Sequence, residues 1–355
     1  MKSILAKDYQ IHFSDYAYAE LNKMIENTAI SKLFIIADKN TLAFCYPRLK
    51  EKLSINKTVE ILEIGIGENQ KTIETCEQLW IKLCDLQADR SALILNLGGG
   101  IVSDLGGFVA ATLKRGIRFI NIPTTLLGMV DAAIGGKTGI NLGALKNQVG
   151  AFYNPSMIVI DTAYLKTLPP REFRSGMSEI LKYGLSYDEN LYQLIKAYTE
   201  TDFITLEKLI YRSIEIKNEV VLKDPQEQNL RKVLNFGHSL GHAIESLFLS
   251  KLEENHITHG EAVAAGMVLA AHLSSQYLGF SLEKTAEIKC HIQKYFGQIE
   301  LLKPDYHLIL NLLKHDKKAE SGCVKFVLIT QIGRFKLNCE VGETAIIKAL
   351  DYYNT

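Results

Sequence analysis

Leu93-Ile-Leu-Asn-Leu-Gly98-Gly-Gly-Ile-Val-Ser-Asp104-Leu-Gly-Gly107 joins a short apolar run to three glycines and then to a helix-like segment. A strand that ends in glycines and feeds a helix lets backbone N–H groups approach a pyrophosphate, with the helix dipole favouring the anion. The same string also suits a tight turn in which small residues pack closely. It misses the GxGxxG dinucleotide fingerprint, because Ser103 stands where the third glycine would fall. Outward from this turn the first half of the chain repeats one rhythm. Leu33-Phe-Ile-Ile-Ala, Val59-Glu-Ile-Leu-Glu-Ile, Ala92-Leu-Ile-Leu-Asn-Leu, Arg118-Phe-Ile-Asn-Ile and Met157-Ile-Val-Ile are short apolar runs spaced by helix-like segments. Continuous rather than alternating apolar strands predict a parallel sheet covered on both faces.

Near Pro169-Pro170 the rhythm becomes helical, apart from Val324-Lys-Phe-Val-Leu-Ile and Arg334-Phe-Lys-Leu, which read as a hairpin around Ile332-Gly333. The expected fold is therefore an α/β nucleotide-binding domain over residues 1–170 and a mainly α-helical domain over 171–355. A chain of 355 residues suits two such domains. Its 40 Lys plus Arg balance 40 Asp plus Glu. That balance argues against nucleic acid or an anionic membrane as the main partner. The most apolar stretch, Ala262 to Leu273, is about half the length of a membrane span. The six cysteines are scattered without a CxxC pair, and the first residues carry too short an apolar run for a secretory signal. Both point to reduced thiols in a cytoplasm.

A second glycine cluster, Pro123-Thr-Thr-Leu-Leu-Gly-Met-Val-Asp131-Ala-Ala-Ile-Gly-Gly-Lys137-Thr-Gly-Ile-Asn141, resembles a phosphate loop. It is not a Walker A loop, since Asp131 occupies the position of the first glycine. A structured loop carrying a surface lysine is the plain alternative.

In the helical half, Leu234-Asn-Phe-Gly-His238-Ser-Leu-Gly-His242 places two histidines at i, i+4, about 40° apart on a helix face. If the helix extends back to Arg231, then Arg231 and Asn235 join the same wedge. His259-Gly-Glu261 supplies a third histidine, and Glu179 in Ser178-Glu179-Ile-Leu-Lys182 is the candidate carboxylate. Two or three histidines with one carboxylate form the ligand set of a catalytic zinc with an open position. Spacing alone leaves His238, His242 or both as ligands. Lys217 lies on the apolar stripe of Leu206, Ile210, Ile214 and Val221. A lysine there needs an anion, a lowered pKa or a snorkelling route to water. With Lys137, Lys146, Lys182 and Arg231 nearby in the motifs, a phosphate and a carboxylate are the natural partners.

Taken together, Gly98-Gly-Gly-Ile-Val-Ser-Asp104, Pro123-Thr-Thr-Leu-Leu, Gly-Gly-Lys137-Thr-Gly-Ile-Asn, Lys146-Asn147, Leu168-Pro-Pro-Arg-Glu172, Glu179-Ile-Leu-Lys182-Tyr-Gly, Leu234-Asn-Phe-Gly-His238, His259-Gly-Glu-Ala-Val and Asp316-Lys-Lys resemble the 3-dehydroquinate synthase family of sugar-phosphate cyclases. The resemblance runs in order from about residue 33 to the C-terminal region.

It implies a cytoplasmic homodimer with NAD, a Zn2+ or Co2+ ion and the active site in an interdomain cleft. Glu179, His238 and His259 would hold the metal. Asp38, Glu68, Lys71, Gly100, Asp104, Thr124, Thr125, Lys137, Lys146, Thr167, Leu168 and Glu172 would line the NAD site. Arg115, Asp131, Lys137, Lys146, Asn147, Lys182, Lys217, Arg231, Asn235 and His242 would contact a sugar-acid phosphate. Of these, Lys137, Lys182, Lys217 and His242 are the catalytic candidates, and one lysine of Lys317-Lys318 would close over the phosphate.

The implied reaction converts 3-deoxy-D-arabino-heptulosonate 7-phosphate to 3-dehydroquinate and phosphate, with oxidation at C5, β-elimination, reduction and aldol closure. The chain departs from the family pattern at Met129, Ala132, Ala133 and Ser178, and between His242 and His259 it is a few residues longer. None of these removes a charged position. A polyol dehydrogenase of the same fold group would need fewer cations, and a silent scaffold should have lost a ligand.

Overall fold

The structure, a computed structural model, describes residues 1–54, 57–143, 145–251, 257–316 and 324–355. The chain divides into two compact units, Met1–Pro169 and Pro170–Thr355.

The first unit is built on a seven-stranded sheet in the order β1-β2-β9-β6-β5-β3-β4. Its strands are β1 (Ile4–Leu5), β2 (Gln10–Phe13), β3 (Leu33–Asp38), β4 (Val59–Ile64), β5 (Leu93–Gly98), β6 (Arg118–Pro123) and β9 (Met157–Ile160). All neighbours pair in parallel except β1 with β2. The central strands bury every side chain of Leu93–Gly98 and Met157–Ile160, as their continuous apolar runs require. Edge strand β4 alternates over Leu62 to Ile64, so only part of it is covered.

Helices α1 (Ser14–Asn27), α2 (Lys39–Phe44), α3 (Tyr46–Lys52), α4 (Ile73–Asp85) and α5 (Gly100–Thr112) flank the sheet. Cys76, Leu79 and Leu83 of α4 repeat at helical spacing and join Phe34, Ile94, Leu105 and Phe119 in one core. The chain steps from β3 outward to β4, then crosses to the other side of β3 for β5 and β6. The register sets Ala37 beside Leu97, so Asp38 and the Gly98 turn stand together at the reversal. Ligands of open α/β sheets bind at such a point.

The first thirty residues, which carry little pattern, supply β1, β2 and α1. The stretch after Gly136 is more ordered than the loop alternative. It forms an antiparallel hairpin of β7 (Lys137–Leu142) and β8 (Leu145–Phe152), preceded by a π-helical turn over Gly128–Ala132.

The second unit holds α6 (Pro170–Ser186), α7 (Glu189–Ala197), α8 (Phe203–Lys223), α9 (His238–Ser250), α10 (His259–Leu278), α11 (Leu282–Phe296), α12 (Tyr306–Asp316) and α13 (Glu343–Asn354). The expected hairpin is β10 (Val324–Gln331) and β11 (Arg334–Val341), turning at Gly333 with φ +76°. Helix α10 is the axis of the unit and packs against α6, α9, α11, α13 and β10.

The single helix from Arg231 through His242 does not form. Leu230–Asn235 is a 3-10 turn, and Gly237 breaks the path with φ +78° before α9 begins. A Cβ on Gly237 would lie 2.6 Å from the Met267 side chain, so both the backbone angle and the space demand glycine. No helix among the described residues is long and apolar enough to cross a membrane.

Candidate active site

Helix α6 is buried from Ser175 to Ser186, and on it Glu179 and Lys182 sit at i, i+3. Lys182 Nζ donates to Glu179 Oε2 in a fully buried ion pair. The other oxygen, Oε1, lies 3.3 Å from His238 Nε2 and 3.2 Å from His259 Nε2. His238 is the first residue of α9, and His242 follows one turn later. Nitrogens of His238, His242 and His259 all fall within 4.8 Å of one another.

His259 is placed by the start of α10. Thr258 caps the helix by accepting from the Glu261 N–H at 3.2 Å, and Glu261 Oε2 accepts from the Thr258 N–H at 2.8 Å. Arg171 grips the same carboxylate through two bonds of 2.8 Å. Gly260 presses this turn onto α6, where a Cβ would come within 2.3 Å of Ser175 Cα. Its N–H donates to Ser175 Oγ at 3.0 Å. Because Ser175 lies one turn before Glu179, the contact sets His259 against the carboxylate.

Two outer contacts orient the rings. His259 Nδ1 is 3.3 Å from Glu245 Oε2, and His238 Nδ1 is 3.3 Å from the Phe236 carbonyl oxygen. With Nδ1 engaged in this way, each ring turns Nε2 toward Glu179. Burial would push Glu179 up, yet Lys182 and the two imidazoles outweigh it and hold the carboxyl well below its ordinary value. For His259, burial opposes protonation, but Glu245 and Glu179 push its pKa up to about 10.

The donor set fits a small divalent ion. Metal–ligand bonds of about 2.0–2.1 Å give a tetrahedron with edges of about 3.3 Å, and the two Glu179–histidine spacings, 3.3 and 3.2 Å, match that edge.

The remaining polar candidates of the second unit are mostly buried. Lys217 on α8 is 5% exposed and Arg231 2%. Arg231 is tied by its backbone N–H to Asp224 at 3.0 Å and by Nη1 to the Pro225 carbonyl at 2.7 Å. Asn235 donates to Glu227 Oε1 at 2.5 Å. Glu172 lies exposed in the first turn of α6.

In the first unit the candidates fall into two groups. Asp38 caps α2, accepting from the Thr41 N–H at 2.8 Å, and stands near Cys45. Burial pushes the Cys45 thiol up while Thr167 and Thr124 hydrogen-bond to it. Thr125 Oγ1 accepts from the Gly128 N–H at 3.0 Å, and its methyl packs beside Gly99, ahead of Gly100 at the start of α5. Leu168 follows Thr167 after a 3-10 turn.

The second group joins Lys71 Nζ to Asp104 Oδ2 at 2.6 Å and to Asn147 Oδ1, with Lys146 Nζ 3.7 Å from Glu68 Oε1. Asp131 is half-buried in the π-helical turn, while Lys137 and Arg115 are exposed. Lys317 and Lys318 lie outside the described residues.

Glu245, Glu227, Asp224, Arg171, Ser175 and Asn141, which donates to Glu68, belong to these networks and are absent from the sequence-based set. Only Glu245 carried a readable signal, since His238, His242 and Glu245 are offset by 0, 4 and 7 on one helix face.

Comparison with known proteins agrees with this architecture. The family described as 3-dehydroquinate synthase N-terminal matches residues 61–175, and that described as 3-dehydroquinate synthase C-terminal matches residues 176–319. A 3-dehydroquinate synthase of Parabacteroides distasonis is 41% identical over 337 residues, covering 94% of this chain and 95% of the relative. Similar solved structures include two at 26% identity. One is a 2-epi-5-epi-valiolone synthase from Streptomyces hygroscopicus with NAD+ and Zn2+ bound, with TM-score 0.85 and coverage of 99% of this chain and 98% of the other. The other is a 2-deoxy-scyllo-inosose synthase complexed with carbaglucose-6-phosphate, NAD+ and Co2+, with TM-score 0.83 and coverage of 98% of each chain.

A parallel α/β unit with its glycine turn at the switch point, in one chain with a helical unit carrying histidines around a buried carboxylate, defines a nucleotide- and metal-dependent enzyme of the cyclase type. Within that class, the chain belongs to the 3-dehydroquinate synthase family.

Proposed function

We propose that this chain converts 3-deoxy-D-arabino-heptulosonate 7-phosphate to 3-dehydroquinate and phosphate, as a cytoplasmic homodimer using NAD and Zn2+ or Co2+. The observation that carries the reading is the spacing of Glu179, His238 and His259 at the edge length of a tetrahedral metal site, in a chain of this family. When bound, NAD supplies a reversible hydride acceptor and the ion a Lewis acid for the substrate hydroxyls.

The protein's own part is positioning and electrostatics. Glu179, His238 and His259 hold the ion, and Lys182 keeps Glu179 ionised. His242, whose ring centroid is 5.2 Å from that of His238 and 5.7 Å from that of His259, faces the substrate and moves the hydroxyl proton at the oxidised carbon. Lys217 and Arg231 clamp the substrate carboxylate, the arginine through its planar fork. Asn235 and Asp131 take the ring hydroxyls. Lys137, Lys146, Asn147 and Arg115 hold the phosphate, which itself removes the adjacent proton as it leaves, so no carboxylate base is needed. Asp38, Glu68, Lys71, Gly100, Asp104, Thr124, Thr125, Thr167, Leu168 and Glu172 serve NAD, and Lys137 and Lys146 reach it as well as the phosphate.

Purified protein is tested with the heptulosonate phosphate, zinc and substoichiometric NAD, following phosphate and NADH absorbance together. The expected result is many phosphates per NAD, no lasting NADH, and loss of activity on chelation. Folded, metal-loaded protein that releases no phosphate overturns the reading. In the same material, light scattering should give twice the 39.8 kDa chain mass.

A further inference from the structure

The β7–β8 hairpin is irregular at one place. Ile140 pairs with Val149 and Leu142 with Leu145, so Asn141 alone stands opposite Lys146, Asn147 and Gln148. Such a bulge re-aims side chains and is costly to hold, and here Asn147 takes a left-handed backbone with φ +54°.

Asn141 is what holds it. Its Oδ1 accepts from the Asn147 N–H at 2.9 Å, and its own N–H donates to the Lys71 carbonyl at 2.8 Å. Lys71 Nζ returns to Asn147 Oδ1, which closes a ring through three residues. The other end of the Asn141 amide, Nδ2, donates to Glu68 Oε1 at 2.8 Å, the same oxygen that Lys146 Nζ approaches at 3.7 Å. Lys71 also carries the bond to Asp104 on α5. Asn141 therefore holds the bulge in which Asn147 also meets Lys71 directly, and the two links together tie the turn over residues 68–71 and Asp104 to the bulge that presents Lys146 and Asn147.

We propose that Asn141 is a positioning residue that couples the two ligands, so that nucleotide bound at Glu68, Lys71 and Asp104 tightens the binding of a phosphate at Lys146 and Asn147. The inference rests on the functional reading above, which assigns those two groups to NAD and to the substrate phosphate. A ligand that fixes residues 68–71 fixes the Lys71 carbonyl and the Glu68 carboxylate, and through Asn141 it fixes the bulge. The second ligand then meets a site already ordered. Linkage makes the effect reciprocal, so phosphate must tighten NAD by the same factor. Direct contact of Asn141 with either ligand is not required, and its loss should remove the coupling while leaving NAD bound alone nearly unaffected.

The test is a calorimetric titration of NAD into the whole protein, with and without saturating inorganic phosphate, and the reverse titration of phosphate with and without NAD. Wild-type protein should show one coupling factor in both directions, at least about fivefold. Asn141→Ala and Asn141→Leu, checked for a cooperative thermal transition, should bind NAD alone within about threefold of wild type and show a factor near one. The alanine change at this half-buried position leaves a usable variant even if leucine disturbs the hairpin. A wild-type factor of one, or a full coupling factor in either folded variant, overturns the proposal while leaving the enzyme assignment standing. A wild-type protein that binds no NAD sinks the assignment, and the proposal with it.

Discussion

The histidine–carboxylate cluster of the second unit and the Lys71–Asn147 network of the first handle charge in opposite ways. Glu179 and Lys182 are 0% and 1% exposed on a rigid helix, and His238 and His259 are fixed by outer contacts before any ligand arrives. In the other network Lys71 is buried, but Asp104 is 20% exposed, and Asn147 and Asn141 bridge the charges with neutral amides on a bulged hairpin. The first design spends desolvation on stiffness, which suits an ion whose ligands must stand at set distances. The second buries only the lysine, leaves the carboxylate partly open to water and bridges them with neutral amides, which suits organic anions that come and go.

The contrast is broken most severely at Glu179. Glu179→Gln leaves Lys182 buried without its counter-charge, and breaking such a pair costs about 3–5 kcal/mol of stability. The same change removes the oxygen that meets both imidazoles, so metal content should fall to background. Asp104→Asn, the matched change in the first unit, should cost less than Glu179→Gln, because Lys71 Nζ keeps its bond to Asn147 and Asp104 is 20% exposed where Glu179 is 0%. Urea unfolding of both variants decides it. Equal losses would show that burial is not what separates the two networks.

The histidine cluster can be sharpened from within. His238 and His242 are one turn apart on α9, and His238 Nε2 lies 3.3 Å from Glu179 Oε1. His238→Ala should lose the ion, while His242→Ala should retain it at near one per chain and lose turnover. Metal content by atomic emission on the dialysed proteins is the readout. Comparable loss in both variants would move His242 into the ligand set.

How far each region could be read in advance follows from the kind of force that builds it. The parallel strands were plain in the apolar runs, because burial on both faces favours Val, Ile and Leu at most positions. Lys217 was legible for the converse reason, as a charge on a stripe that the helix buries. The histidine–carboxylate cluster was half legible. Its histidine spacing stands out on one helix, but the break at Gly237 does not, since it answers to Met267 thirty positions away. The Thr258-to-Glu261 capping box and its grip by Arg171, a contact made across ninety positions, were not read from the sequence. The hairpin over 137–152 escaped because only Thr138 to Ile140 are well buried while Leu142, Leu145, Val149 and Phe152 remain exposed, so no regular alternation marked it as strand. Asn141 escaped for a related reason. Its role lies in hydrogen bonds to Glu68 and Lys71, and short-range pattern carries no trace of those partners.

The smallest of these effects tests how much of the rigidity comes from outside the ligands. Glu245 is 4% exposed and meets His259 on the nitrogen that faces away from Glu179. A buried carboxylate in that position fixes the ring's orientation and raises the basicity of the far nitrogen, and removing such a partner typically weakens metal binding about 10–100-fold. Glu245→Gln keeps the size of the side chain and an oxygen that accepts from Nδ1, so part of the orientation survives while the charge is lost. Zinc affinity measured by competition with a chromophoric chelator should therefore fall toward the lower end of that range. Glu245→Ala, which loses both charge and acceptor, should reach the upper end. If the two variants fall equally, the charge rather than the geometry is the contribution of Glu245. If neither changes affinity, the stiffness of the cluster resides in the helices themselves, and the Ser175–Gly260 contact between α6 and α10 becomes the part that sets His259.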